Sequence, residues 1–261
     1  MIHPKFSRAI SITTSRCSHR YRLFLWGLVL FIAAVFMGQQ AFAGAKIVDA
    51  KLAERDFMRV MLSAEYGGAN RLARSIKKYN NTVRFAVINH ATKNRRPAVR
   101  HFVSDLRKKV KGLKVTFVSN KDRANFRIHV VDQAQYASVM RKHVLKNKNA
   151  RVRGQCYVRA ILGKNGIQAT DVVIVSDRDE FTFNRCLVEE VLQGLGPLAD
   201  KGHKAYSVFN TASQHSSFTL HDRVLMNALY DPRIRAGMSK AQVKKLISQI
   251  IRENVARLQP S

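Results

Sequence analysis

Two β-rich runs at 156–162 and 167–175 flank Gly163-Lys164-Asn165-Gly166, and this arrangement constrains the fold more than any other stretch. The Asn-Gly pair tolerates the positive φ of a tight turn, so the segment predicts a β-hairpin. Upstream, Val83-Arg84-Phe85-Ala86-Val87-Ile88 alternates as a strand, and 115–118 and 126–131 read the same way. Between them, Val99, Phe102, Val103, Leu106 and Val110 recur at helical spacing behind Pro97. A first helix is expected around 57–62, a short one over 134–145, and a basic loop over 146–153. After the hairpin, helices dominate. Asn184 is the expected cap of one, and Thr219-Leu220-His221-Asp222 and Ser239-Lys240-Ala241-Gln242 read as capping boxes for two more. The last is expected to run over about 239–258, on Val243, Leu246, Ile247, Ile250 and Ile251. The class is α+β: a mixed sheet closed by a hairpin, then a polar-faced helix, then a loop and C-terminal helices.

The polar-faced helix holds the candidate site. On a helical wheel Leu187, Val188, Val191, Leu192 and Leu195 form a broad apolar face, and Glu189 and Gln193 stack one turn apart on the other side. Glu190 is about 100° further round, so the three polar residues share one face. Such a face lines a cleft or meets water. The run Glu189-Glu190-Val191-Leu192-Gln193-Gly194-Leu195-Gly196 resembles the H-E-x-x-H-x-x-G zinc helix of the metzincins, with Glu190 and Gly196 in register. Glu189 and Gln193 stand where that pattern has its two histidines. Zinc is therefore not expected, and no cofactor is assigned. A hard divalent cation would suit Glu189, Gln193, Asp200 and water better. His203, His215 and His221 are weaker ligand candidates, a lone histidine being more often structural. Glu190 is the catalytic residue if any catalysis survives. Glu189 and Glu190 diverge on one helix, so they cannot face each other across a substrate, which leaves Glu190 with Asp222 as an unsupported pairing. The chain has no G-x-S-x-G elbow, phosphate loop or dinucleotide glycine motif.

The first 43 residues predict export. A basic stretch without acids precedes an apolar run over 23–37, and Ala41-Phe42-Ala43 fits a small-residue cleavage site. The expected location is periplasmic or secreted after cleavage near Ala43. The alternative is an inner-membrane anchor through 23–43, for which the apolar run is short. Residues 44–261 then form a single domain. Beyond the signal, two cysteines remain, Cys156 and Cys186, and an exported pair is expected to be bridged. The net charge is +29; the five basic residues of 1–43 leave +24 on the remainder. That charge attracts polyanions, and an anionic envelope lipid or polysaccharide is the candidate partner. The basic residues are not interleaved with aromatics, so no specific nucleic-acid motif emerges.

The blocks Arg185-Cys186-Leu187-Val188-Glu189-Glu190-Val191-Leu192-Gln193-Gly194-Leu195-Gly196 and His221-Asp222-Arg223-Val224-Leu225-Met226-Asn227-Ala228-Leu229-Tyr230-Asp231-Pro232-Arg233-Ile234 resemble the proteobacterial exported family known as domain-of-unknown-function family 2927. The resemblance spans roughly 56–238. It implies a metzincin-like (zincin-like) fold with E-E-x-x-Q at the zinc helix, and no established activity. Leu225-Met226 echoes the methionine that floors a metzincin site, although core packing explains a Met there as well. Three functions stay open: a non-catalytic binding or envelope-associated module, a peptidase-like hydrolase using a non-zinc metal or none, and a polyanion-binding basic protein.

Overall fold

The computed structural model describes residues 48–63, 74–203 and 205–259; the expected export signal and cleavage site lie outside the described residues. Its elements are α1 (Ala50–Met61), β1 (Val83–Asn89), α2 (Arg96–Lys109), β2 (Val115–Phe117), β3 (Phe126–Val131), α3 (Gln133–Val139), β4 (Cys156–Gly163), β5 (Gly166–Val175), α4 (Glu180–Gly194), α5 (Leu220–Leu229), α6 (Lys240–Lys244) and α7 (Ile247–Leu258). Among the described residues no helix is long and apolar enough to cross a membrane.

The strands form one five-stranded mixed sheet in the order β2-β1-β3-β5-β4. β1, β2, β3 and β5 run parallel, and β4 lies antiparallel at the edge against β5. The hairpin forms as the sequence predicts. Gly163 pairs with Gly166, so Lys164-Asn165 is the two-residue turn and the glycine of the Asn-Gly pair closes it at φ +98°. That glycine is required, because a Cβ there would sit 2.3 Å from the Lys78 carbonyl oxygen.

Period-two alternation sorts the strands onto two faces. Phe126, Ile128 and Val130 of β3, with Val172 and Ile174 of β5, enter the main core, which α1, α2, α4, α5 and α7 complete. Val131, Val173 and Val175 point the other way, into a smaller cluster with Tyr136 and Val139 of α3. Leu225 and Met226 are wholly buried in the main core, so they act there as packing.

Several elements differ from the sequence reading. The first helix begins at Ala50, where Asp49 caps it by accepting from the Leu52 N–H at 2.7 Å. The helix expected over 134–145 is α3 followed by a π-helical turn, Met140–Leu145, that ends on Lys146 in a left-handed conformation at φ +51°. The single helix expected over 239–258 divides into α6 and α7 around Lys245 and Leu246. Ser239 does form its capping box with Gln242. Thr219 caps α5, but the Asp222 side chain turns inward and closes no reciprocal box.

Candidate functional site

The cap of α4 lies five residues before the expected Asn184. It is Asp179, accepting from the Thr182 N–H at 2.8 Å and from the Thr182 hydroxyl at 2.7 Å. The physical reason is Phe183, whose ring is buried with Cys186 and Leu187 on the core side, so the apolar stripe begins a turn earlier than the Leu187-Val188 pair suggests. Arg95 lies over the Phe183 ring at 4.1 Å and pairs with Glu180 at 2.8 Å, fixing the first turn from outside.

The polar face of α4 does not meet water. Glu189, Glu190 and Gln193 are 7%, 8% and 8% exposed. The loop after the helix folds back on them. Gln193 donates its amide to Asp200, and Arg185 reaches the Thr211 carbonyl at 2.8 Å while its Nε lies 3.5 Å from Glu189 Oε2. The hydroxyl of the buried Tyr136 is pushed well above the usual tyrosine range by burial and then by the charge of the Glu190 carboxylate. The residues at the two ligand positions do not fit zinc: Gln193 is neutral and engaged by Asp200, and Glu189 is paired with Arg185.

The other ligand candidates are engaged elsewhere, two of them at the same carboxylate. His203 gives its backbone N–H to Asp56 Oδ2 at 2.9 Å and stacks on Tyr206, His215 donates to the Ala205 carbonyl at 3.0 Å, and His221 bonds Asp56 Oδ2 at 3.0 Å. Among the described residues no group of three or more His, Cys, Asp or Glu is placed to hold a metal ion. Asp222 is no partner for Glu190. It is fully enclosed, and accepts from the Ser207 hydroxyl at 2.6 Å, the Val208 N–H at 3.0 Å and the Thr219 hydroxyl at 2.7 Å. Asp56, His221 and Asp222 thus anchor the loop between α4 and α5. The sequence held one sign of this. Asp56 occupies a core position between Ala53 and Phe57, in an otherwise apolar stripe.

One side of the site remains open. A groove of about 490 Å³ runs between the start of β4 and the N-terminal half of α4. Glu189, Arg185 and the Cys156–Cys186 disulfide form part of its wall, and Arg178 and Phe181 line it as well. Phe181 is 45% exposed, although a phenyl ring gains by burial. β4 is the last strand of the sheet, and its Ile161 is 43% exposed.

A second polar cluster, on the other face of the sheet, escaped the sequence reading. His90, His129 and His143 stack with ring centroids 5.4–6.0 Å apart. No local pattern announces them, because they span more than fifty residues and meet only through the β1–β3 register and the π-helical turn. Burial pushes His129 down to about 4, with Asp171 opposing the shift and His143, His90 and Arg127 adding to it. Between about 4 and the ordinary 6.5, the unfolded chain binds this proton and the folded chain does not. Stability therefore rises with pH across that window; the contribution is complete above 6.5 and is lost as pH falls through 4. The loss at pH 4.5 is expected to be on the order of 2–3 kcal/mol relative to pH 7.5. Urea unfolding at the two pH values measures it, and His129→Gln should flatten the difference. An unchanged acid slope in that variant would assign the lability to other groups.

The family described as "Protein of unknown function (DUF2927)" matches residues 50–249, and the chain belongs to it. No curated protein matches the chain.

Proposed function

We propose that this chain, as a member of that family, is an exported, non-catalytic binding module on a degenerate zincin-like scaffold, and that it holds an extended peptide segment in the groove between β4 and α4. The observation that carries this reading is the division of the α4 polar face. Its former ligand positions are closed against Asp200 and Arg185, while the adjoining groove presents an exposed aromatic ring beside arginines. The order of elements, with a mixed sheet closed by a hairpin ahead of the polar helix, supports the zincin-like scaffold. An edge strand offers unpaired backbone groups to an extended ligand, and the groove begins at that strand's first residue. Phe181 supplies an apolar anchor, and Arg178 and Arg185 favour acidic side chains. The charge of +24 beyond residue 43 supports a second contribution, long-range attraction to an anionic envelope polymer, which weakens with salt.

Fluorescence anisotropy with acidic, aromatic-containing decapeptides tests the groove. Phe181→Ala should weaken binding about tenfold, equivalent to about 1.4 kcal/mol. Glu190→Gln, which keeps the side chain's shape, should leave the affinity unchanged. Peptide turnover by the parent that disappears in Glu190→Gln would replace the binding module with a hydrolase.

Export is supported by the basic and apolar segments of 1–43 together with the Cys156–Cys186 bridge, which suits an oxidising compartment. N-terminal sequencing of protein recovered from the native host should start at Gly44. Intact Met1 on membrane-bound protein would point instead to an anchor through 23–43.

A further inference from the structure

The histidine cluster carries an inference independent of the groove. His90 follows β1, whose Ile88 pairs with His129 of β3, and the π-helical turn brings His143 beside both rings. A cavity of about 270 Å³ opens at these side chains, lined also by Lys121, Arg127 and Lys146. That volume lies just below the range of pockets that enclose whole small molecules.

The charges of this cavity are one-sided. Arg127 is matched by Asp171 through two bonds, Nε to Oδ1 at 2.6 Å and Nη2 to Oδ2 at 2.8 Å. Asp122 is the one carboxylate among the lining residues, against the ammonium groups of Lys121 and Lys146. Lys146 is held toward this region by a left-handed backbone, the only described non-glycine residue with positive φ. We propose that the cavity binds a phosphate-type oxyanion, either inorganic phosphate or a phosphomonoester, through Lys121, Lys146, His90 and His143.

The buried member of the cluster explains how the imidazoles serve. His129 is 3% exposed; its Nδ1 lies 3.4 Å from His90 Nε2, and its Nε2 has no hydrogen-bond partner but faces Asp171 Oδ1 at 3.9 Å. The carboxylate favours the proton on His129 Nε2, which leaves Nδ1 to accept from His90 Nε2–H. His90 is thereby held with Nδ1 as its second nitrogen. When that nitrogen takes a proton from solvent, it becomes a donor for an anion without breaking the bond to His129.

Binding must then depend on pH. His90 is held below the ordinary histidine range by burial first, then by Lys121, Arg96 and Lys142. His143 is lowered by burial, Lys142, His90 and Lys121, against a smaller opposing effect of Asp171. A bound anion cancels this positive field, so both histidines gain protons on binding. Affinity rises as pH falls toward the ordinary histidine range. A phosphate oxyanion takes up its own second proton in the same range, which offsets part of this gain, so the net rise rests on the uptake of protons by both histidines.

Titration calorimetry with inorganic phosphate, run at pH 6.0 and 7.5 in two buffers of different ionisation enthalpy, tests the site. Binding should be about tenfold tighter at the lower pH, with proton uptake. Lys146→Gly, which suits the left-handed backbone, and His143→Gln should each weaken binding about tenfold at pH 6.0, while circular dichroism shows them folded. A parallel titration with glycerol 3-phosphate separates the sources. Tighter binding of the ester means that its substituent fills the rest of the cavity, and tighter binding of the free ion means that it does not. The proposal is overturned by no binding at about 10 mM phosphate, by variants that bind like the parent, or by stoichiometric zinc at the three histidines.

Discussion

Gly196→Ala is expected to cost about 4 kcal/mol or more, enough to leave little folded protein at 37 °C. Gly196 adopts φ +150°, outside the comfortable range of side-chain-bearing residues, just past the end of α4. A Cβ there would stand 2.3 Å from the Lys77 carbonyl oxygen and 2.7 Å from Leu229 Cδ2. The first obstacle is backbone and cannot rotate away. Moving it disturbs two buried lysines. Lys77 Nζ donates to the Met61 and Ser75 carbonyls, and Lys78 Nζ to the Leu229 and Ile234 carbonyls at the end of α5 and beyond. One methyl group therefore strains the junction of α1, α4 and α5 together. Gly237→Ala is the matched control, since Gly237 has φ +82° with nothing within 4 Å of a Cβ, and only backbone strain of about 1 kcal/mol should appear. Denaturant midpoints for the two variants decide the matter. Equal, small losses would mean that the contact at Lys77 yields easily.

The glycine shows which parts of the site are legible in sequence. Its register with Glu190 is visible as a spacing. Its reason lies in a carbonyl more than a hundred residues upstream, which no window on α4 contains. The strands were readable because alternation is local: 126–131 match β3 end to end, and the hairpin needed only its Asn-Gly turn. The start of α4 was not, because Asp179 and Asn184 are both competent caps and only burial of Phe183 chooses between them. The π-helical turn was hidden too, since an apolar pattern cannot distinguish one inserted residue from a regular helix. Helical periodicity alone puts Glu189, Glu190 and Gln193 on one side of the helix. Whether that side is open or closed depends on Asp200 and Thr211 in a loop without periodicity, and the wheel holds no information about it. The histidine cluster fails for the same reason on a larger scale, because parallel pairing brings together residues that only the topology makes neighbours.

Removing the Cys156–Cys186 disulfide should lower stability by about 3.6 kcal/mol through the unfolded state, given a cross-link spanning 30 residues. For a domain of this size that is roughly a 10 °C fall in Tm. The location argues for a full effect. β4 is bound to the sheet on one side by β5, and α4 packs on both strands. The bridge joins the first residue of β4 to the middle of α4 with 5.7 Å between Cα atoms, so it closes the hairpin, the connection and the helix into one loop. It also forms part of the groove wall beside Glu189. Cys156→Ser with Cys186→Ser should therefore lower both Tm and decapeptide affinity, whereas Phe181→Ala should lower the affinity alone. Non-reducing peptide mapping establishes the bridge in the parent. Two thiols that alkylate in oxidised native protein, or a double variant that melts with the parent, would remove the disulfide from the account of stability and leave the α4 packing to hold the edge strand unaided.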